Sequence, residues 1–229
     1  MSIAGGKWIR EEATEFVLHE DIGSVTGDNF TVKDAKTGNV VIKATTKAVS
    51  ALDDIQLTDV ETGEELCTIK GTFLYALPTY MIQRGGVTVA TVRKDRVSVR
   101  RTIRVYQGEA SFNAVTNETE AETLLQLHGS MMSDRNTEIY LGNSDAKVAH
   151  ARERRFNKGG VFLKDEYDVK VEAGADIVLI LASMIVKDEI LEEKRERRAA
   201  VAAAVCAVPV VGAVAVAAGM SKKDDEKDA

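Results

Sequence analysis

The chain has few aromatic, proline and cysteine residues. Phe, Trp and Tyr make up 5% of its 229 residues while 45% are hydrophobic, so its core must consist mainly of Val, Ile, Leu and Ala. The two cysteines, Cys67 and Cys206, follow no metal or disulfide spacing, which favours a reducing compartment. The N-terminus lacks an apolar signal core, which argues against secretion by that route. A net charge of −6 argues against a nucleic-acid partner.

Motifs that carry chemistry are also missing. The three histidines have no metal-like partner spacing, and neither Asp53-Asp54 nor the acidic stretch Glu118–Glu122 has the alternating oxygen ligands of a calcium loop. Gly85-Gly86 is followed by neither a Lys-Ser/Thr pair nor a helix start, so it is not a phosphate loop. No Ser-His-Asp or Cys-His arrangement stands out. The sequence therefore predicts a protein that is not an enzyme, with no catalytic residue, metal or cofactor.

Short strands with regular turn signals fill most of the chain. Two hairpins share an Asp-x-x-Thr-Gly turn, at Asp34–Gly38 and at Asp59–Gly63, in which glycine supplies the positive φ that such turns need. A second echo, a strand, a tight turn and Val-Ala-x-x-Arg, ends at Arg93 and again at Arg152, and suggests two related halves. Strands of this length and spacing predict an antiparallel sandwich or barrel.

A strongly apolar run follows the strands. Ile177–Val186 has no polar face, and its ten residues are too few for a bilayer span, which needs about 20. We therefore expect this helix to lie inside a β-shell, and a charged continuation begins at Lys187. The predicted core of the helix is Ile177, Val178, Leu179, Ile180, Leu181, Met184, Ile185 and Val186.

These segments resemble the LURP-one-related family. The residues that carry the resemblance are Phe30–Asp34, Ser50–Asp54, Val89–Lys94 and above all Tyr167–Asp176, with the helix that ends in Asp188-Glu189-Ile190. The resemblance implies a tubby C-terminal-like fold related to the phospholipid scramblases. That fold is mainly β: a closed antiparallel barrel of about twelve strands encloses a central hydrophobic helix. Relatives are linked to membrane lipids, phosphoinositide binding and, in plants, pathogen defence, and the resemblance implies no enzyme activity.

The resemblance also divides the chain into three parts. Residues 1–13 form an N-terminal extension, residues 14–194 the barrel domain, and residues 195–229 an Ala/Val-rich apolar tail with a charged C-terminus. Within the tail, Ala199–Gly219 is 21 residues without a charge. Its length suits a membrane span, but its Ala and Gly content and Pro209 do not. Two interpretations stay open: a membrane anchor, or an Ala-rich helix packed on the barrel, on itself or on another protomer.

Two clusters of Lys and Arg follow the Val-Ala-x-x-Arg strands. Such clusters attract anionic headgroups, which predicts binding of an anionic phospholipid or phosphoinositide. The alternative is that these charges solvate strand faces and protect sheet edges. The candidate residues are Arg93, Lys94, Arg96, Arg100, Arg101, Arg104, Arg152, Arg154, Arg155 and Lys158.

Together these patterns predict a cytoplasmic, non-enzymatic barrel that binds anionic phospholipid or serves as a membrane-tethered scaffold. Arg195, Arg197 and Arg198 precede the apolar tail, and positive charge on that flank would keep the barrel on the cytoplasmic side. One alternative is a soluble, defence- or stress-related protein–protein interaction module whose tail is buried in an oligomer. Lipid transport of the scramblase kind is a weaker alternative, because a filled barrel has no obvious lipid path.

Overall fold

The computed structural model describes residues 5–21, 29–47, 54–72, 77–95, 102–113, 116, 118–129, 135–155 and 165–206. Within these ranges only the backbone is described for residues 21, 29, 47, 155, 165 and 192–206. The chain divides into two compact units, Met1–Ile190 and Leu191–Ala229. The first contains all of the strands, and the description of the second consists of a helical backbone that ends at Cys206.

The described elements follow a simple order. A 3₁₀ turn at Gly6–Trp8 comes first, and the helix α1 (Ile177–Cys206) comes last. Between them lie twelve strands: β1 (Thr14–Asp21), β2 (Asn29–Asp34), β3 (Val40–Lys47), β4 (Asp54–Asp59), β5 (Glu65–Thr72), β6 (Thr79–Arg84), β7 (Val87–Lys94), β8 (Ile103–Gln107), β9 (Thr123–Gly129), β10 (Asn136–Leu141), β11 (Lys147–Arg155) and β12 (Asp165–Val171).

The strands form one closed antiparallel barrel. Each strand pairs with its neighbours in the chain, and β1 pairs with β12 from Thr14 opposite Val171 to His19 opposite Glu166. Closure leaves no free edge in this sheet, which removes the usual template for pairing with another chain. The predicted fold class, a mainly β closed barrel of twelve antiparallel strands with a C-terminal helix, is confirmed.

The first part of α1 occupies the barrel interior. All ten side chains from Ile177 to Val186 are buried, and the most accessible of them, Leu179, is only 6% exposed. All of them except Ser183 belong to the same apolar cluster as the inward-facing strand residues, such as Leu18, Val32 and Ile42. A helix buried on every side has to be surrounded, and the barrel wall surrounds it. Its start is fixed by Asp176, whose Oδ1 accepts a hydrogen bond from the backbone N–H of Leu179 at 3.0 Å.

The barrel has two different ends. At the first, which we call the turn end, short connections join β2 to β3, β4 to β5, β6 to β7 and β10 to β11, a longer one joins β8 to β9, and β12 leads into α1. At the second, which we call the loop end, six further connections join the remaining strand pairs, and these segments lie largely outside the described residues. The helix therefore enters the barrel at the turn end.

The two Asp-x-x-Thr-Gly turns have the same structure. Asp34 Oδ1 accepts the backbone N–H of Lys36 and Thr37, both at 3.0 Å, and Asp59 Oδ1 makes the same pair of bonds in the second turn. Gly38 and Gly63 have φ of 74° and 71°, a conformation that costs other residues strain. The turn prediction is confirmed.

Five strands carry a β-bulge near the turn end. Register shifts occur in the pairs β2–β3, β4–β5, β6–β7, β8–β9 and β10–β11. Each bulge adds one apolar residue next to an inward-facing one, so that two consecutive side chains pack on the core. The Val-Ala echo marks two of these bulges. We call the added residues the bulge ring: Val41, Leu66, Val89, Leu124 and Val148.

Candidate functional site

The first basic cluster lies on the outer wall of β7 and β8. Arg93 and Arg104 face each other across the two strands, and Arg104 Nε donates to Asp95 Oδ2 at 3.0 Å. Arg93 is only 5% exposed, because its guanidinium lies 4.2 Å from the centre of the Phe112 ring. Lys94 is half-buried. The predicted members Arg96, Arg100 and Arg101 lie outside the described residues.

A segment that we call the strap, Gly108–Asn113, covers Arg93. Thr91 on the outer face of β7 holds it: the Thr91 hydroxyl donates to the Gly108 carbonyl at 2.7 Å and accepts the Ala110 N–H at 3.0 Å. Phe112 of the strap packs edge-on against Tyr106, with ring centres 5.3 Å apart. Stacking an arginine on an aromatic ring away from water is a stabilising cation–π contact. Arg93 therefore serves the packing of the strap, and it is not exposed enough to contact a membrane surface.

The second basic cluster lines a shallow groove on the outer wall of β1, β11 and β12. Arg152 and Arg154 point outward from β11, and Asp168 and Lys170 do so from the neighbouring β12. Of the predicted members, Arg155 is described only as strand backbone, and Lys158 lies outside the described residues. The groove encloses about 270 Å³ and is lined by Glu15, Phe16, Ala35, His150, Arg152, Arg154, Asp168, Val169 and Lys170.

The cations of this groove differ in how they are engaged. Arg154 contacts both carboxylate oxygens of Asp168 and approaches Glu166 at 3.5 Å, and its hydrogen bond to Asp168 raises the pKa of its guanidinium. Arg152 and Lys170 are exposed and form no ion pair with any side chain in the described part of the chain. Their charges are therefore available to an anion from solution.

The two basic clusters do not form one site. Two strands, β9 and β10, separate β8 from β11 in the barrel. Three neighbouring strand spacings amount to about 14 Å along the wall. A single headgroup cannot contact both clusters, although a membrane surface could.

Residues 14–188 match the sequence profile described as LURP-one-related. The chain belongs to the LURP-one-related family. It is 27% identical over 179 residues to Protein LURP-one-related 15 of Arabidopsis thaliana, a match that covers 75% of this chain and 77% of that protein. It is 23% identical over 188 residues to Protein LURP1 of the same plant, covering 82% and 89% of the two chains.

The described part of this LURP-one-related chain contains no evident metal site: no group of three or more His, Cys, Asp or Glu side chains is placed to hold an ion. Cys67 is buried in the core, where desolvation raises the pKa of its thiol to about 12 and makes it a poor nucleophile. Within the described residues no helix is long and apolar enough to cross a bilayer. Of the predicted anchor Ala199–Gly219, the part after Cys206 lies outside the described residues.

Sequence reasoning missed a buried polar group near the loop end of this barrel. Tyr167 points inward from β12, and its hydroxyl donates to Asp188 Oδ1 at 2.7 Å. Lys187 Nζ lies 5.3 Å from the centre of the same ring, and both helix residues are almost fully buried. We expected the charged continuation to begin at Lys187, but its first two residues still pack inside the wall. The signal available was the inward position of Tyr167 in the alternating pattern of β12.

Sequence reasoning also missed the role of the first residues. Trp8 is 2% exposed and belongs to the core. Lys7 Nζ pairs with Asp59 at 2.8 Å, and Arg10 approaches Asp34 at 3.5 Å, so this segment is tied to both Asp-x-x-Thr-Gly turns. Burial alone would raise the pKa of Asp59, but the Lys7 ammonium and the N–H groups of its turn lower it below its usual value. The described part of the predicted N-terminal extension therefore packs on the turn end.

Proposed function

We propose that this LURP-one-related barrel is a non-enzymatic protein that binds the phosphate headgroups of anionic phospholipids through the groove on β1, β11 and β12. The observation that carries the proposal is the pair Arg152 and Lys170, which are exposed and engaged by no described carboxylate. Arg154 adds a third cation that Asp168 holds in place.

The spacing of the pair suits a phosphate. Arg152 lies opposite Asp168 on the neighbouring strand, so Lys170, two residues farther on, is its diagonal neighbour. Diagonal neighbours in an antiparallel pair are about 7–8 Å apart at Cα, within reach of two long side chains that converge on one ligand. An arginine can bind a phosphate with two parallel hydrogen bonds, and a lysine adds a point charge.

Vesicle pelleting of the full chain tests this proposal. The double variant Arg152→Glu, Lys170→Glu is compared with Lys33→Glu, Lys43→Glu, a matched pair of exposed lysines on β2 and β3 that changes the net charge equally. Each lost basic charge costs about 1 kcal/mol at an anionic surface, and the two introduced carboxylates add repulsion. The double variant should therefore weaken binding to vesicles that contain phosphatidylserine or phosphatidylinositol 4,5-bisphosphate by at least about 30-fold.

The control pair should change binding by no more than about threefold, since neither lysine lines the groove. Equal losses in the two double variants would mean that only net charge matters, and would contradict a defined site. Vesicles of phosphatidylcholine alone measure any contribution of the apolar tail, because they offer no net negative charge.

The tail extends the proposal to tethering at the cytoplasmic face of a membrane. Ala199–Gly219 would supply an apolar anchor in addition to the headgroup contacts. This part is tested by fusing residues 195–229 to a soluble reporter protein and fractionating cells. Retention in the membrane pellet after alkaline carbonate supports a span, and release by carbonate or salt contradicts it.

A further inference from the structure

A cavity opens at the turn end and shares no lining residue with the basic groove. It encloses about 470 Å³, a size typical of small-molecule sites. Helix, strands and turns all contribute to its wall. The lining residues are Ile9, Val89, Gln107, Glu122, Leu124, Leu125, Leu141, Val148, Ala173, Gly174, Ala175, Asp176, Leu179 and Ile180.

The cavity exists because the N-terminal segment covers only part of the turn end. The ion pairs of Lys7 and Arg10 place that segment over the turns after β2 and β4. Ile9 then bridges to Asp176, and the Arg10 carbonyl accepts the Gly174 N–H at 2.8 Å, so the segment stops at the turn before the helix. On the side of β7 to β11, nothing in the described part of the chain covers the mouth.

The bulges make this open side apolar. Three members of the bulge ring, Val89, Leu124 and Val148, line the cavity, and Leu179 and Ile180 face it from the first turn of the helix. Leu141 stands at the rim and is 53% exposed, an unusual position for a large apolar side chain. A ligand chain in the cavity would cover this apolar surface.

The charged side chains that line the cavity are all acidic. Gln107, Glu122 and Asp176 are its only lining residues with polar side chains, and none of the fourteen lining residues is Lys, Arg or His. Two carboxylates repel an anionic head and attract a cationic one. The preference is opposite in sign to that of the groove on β11 and β12.

We propose that this cavity binds a small cationic amphiphile, with the apolar chain of the ligand among Val89, Leu124, Val148 and Leu179 and its positive head at Glu122 and Asp176. The site is independent of the phospholipid proposal, since it shares no lining residue with the groove, opens at the turn end rather than on the outer wall, and prefers the opposite ligand charge.

Calorimetric titration of the full chain tests the ligand class. Decylammonium, decanol and decanoate have the same chain and differ in head charge, and each is used as monomers below its micelle concentration. We expect saturable binding of one decylammonium per chain, at least about tenfold tighter than decanoate, with decanol between them. Equal affinity for decylammonium and decanoate overturns the proposal.

Variants of the lining test the location. Val148→Phe places a larger side chain in the cavity and should weaken decylammonium at least about tenfold. Leu141→Ser at the exposed rim cannot unfold the core, and should weaken it several-fold by removing apolar contact. Unchanged affinity in both variants overturns the proposed site, and Leu141→Ser decides alone if Val148→Phe does not fold.

The head subsite has a matched control in the same loop. Glu122→Gln removes a lining carboxylate and should reduce the preference for decylammonium over decanol several-fold. Glu120→Gln removes the same charge two residues away, outside the cavity lining, and should leave the preference unchanged. If the two variants lose the preference equally, the effect is one of net charge and the assigned head position is overturned.

Discussion

The bond between Tyr167 and Asp188 offers a direct test of how the interior of this barrel is stabilised. Tyr167→Phe removes one hydroxyl and changes nothing else in the shape of the side chain. A solvent-exposed bond of the same kind on the outer wall serves as the control. There the Tyr140 hydroxyl donates to Glu138 Oε2 at 2.8 Å on an exposed part of β10, and the buried bond measures 2.7 Å.

The two substitutions should differ in cost although the bonds have nearly the same length. Asp188 is almost fully buried, so loss of a donor leaves part of its desolvation uncompensated, and a hydrogen bond to a charged group is worth about 1.5–3 kcal/mol. Glu138 can replace the lost donor by water, so Tyr140→Phe should cost no more than about 0.5 kcal/mol. A cost near 2 kcal/mol corresponds to a fall in Tm of about 4–8 °C for a domain of this size.

Urea unfolding of the wild type and the two single variants measures these free energies at pH 7. Asp188→Asn, alone and combined with Tyr167→Phe, then completes the cycle that gives the coupling between the two side chains. If Tyr167→Phe costs no more than Tyr140→Phe, the buried bond contributes nothing that water does not, and the reasoning from burial is refuted.

Three further outcomes follow from the turns and the core. The hydrogen bond from the Thr37 N–H lowers the pKa of Asp34 below its usual value; partial burial opposes this shift and the Lys36 N–H adds to it. The ionised form of Asp34 therefore adds stability above about pH 4, and this stability is lost as the pH falls. Urea unfolding should show a larger cost of Asp34→Asn at pH 7 than at pH 3. Gly63→Ala should cost about 1 kcal/mol in the same assay because of its positive φ alone, since nothing lies within 4 Å of the added Cβ. In a Cys206→Ser background, Cys67 should not react with a thiol reagent at pH 8 until urea unfolds the barrel, and fast labelling in native buffer would contradict its burial.

The sequence alone predicts the parts of this fold that depend on local chemistry. The Asp34 and Asp59 turns follow from the order of Asp, Thr and Gly, and the buried helix follows from an apolar run with no polar face. The bulges could not be predicted, because a bulge is defined by the register against a partner strand. The Val-Ala echo was visible, but its meaning required the pairing of β7 with β6 and of β11 with β10.

The candidate sites depend on contacts between distant segments, which the sequence does not show. In the sequence Arg93 resembles any exposed strand cation, but in the structure the strap, about 20 residues farther along, covers it. Arg154 is partly neutralised by Asp168 from the next strand, whereas Arg152 is not. The cavity depends on how much of the turn end the N-terminal segment covers, and no periodicity in the sequence predicts that.

The pairing of β1 with β12 sets a condition on how the protein can be made and cut. The wall closes only when its last strand is present, and its contents follow that strand in the chain. A ribosome that has synthesised eleven strands has therefore produced an open sheet whose inner face has nothing to bury it. By the same reasoning, a stop codon between Val171 and Ile177 does not trim the domain. It leaves the wall without the helix that fills it, and we expect loss of the whole barrel rather than of one element.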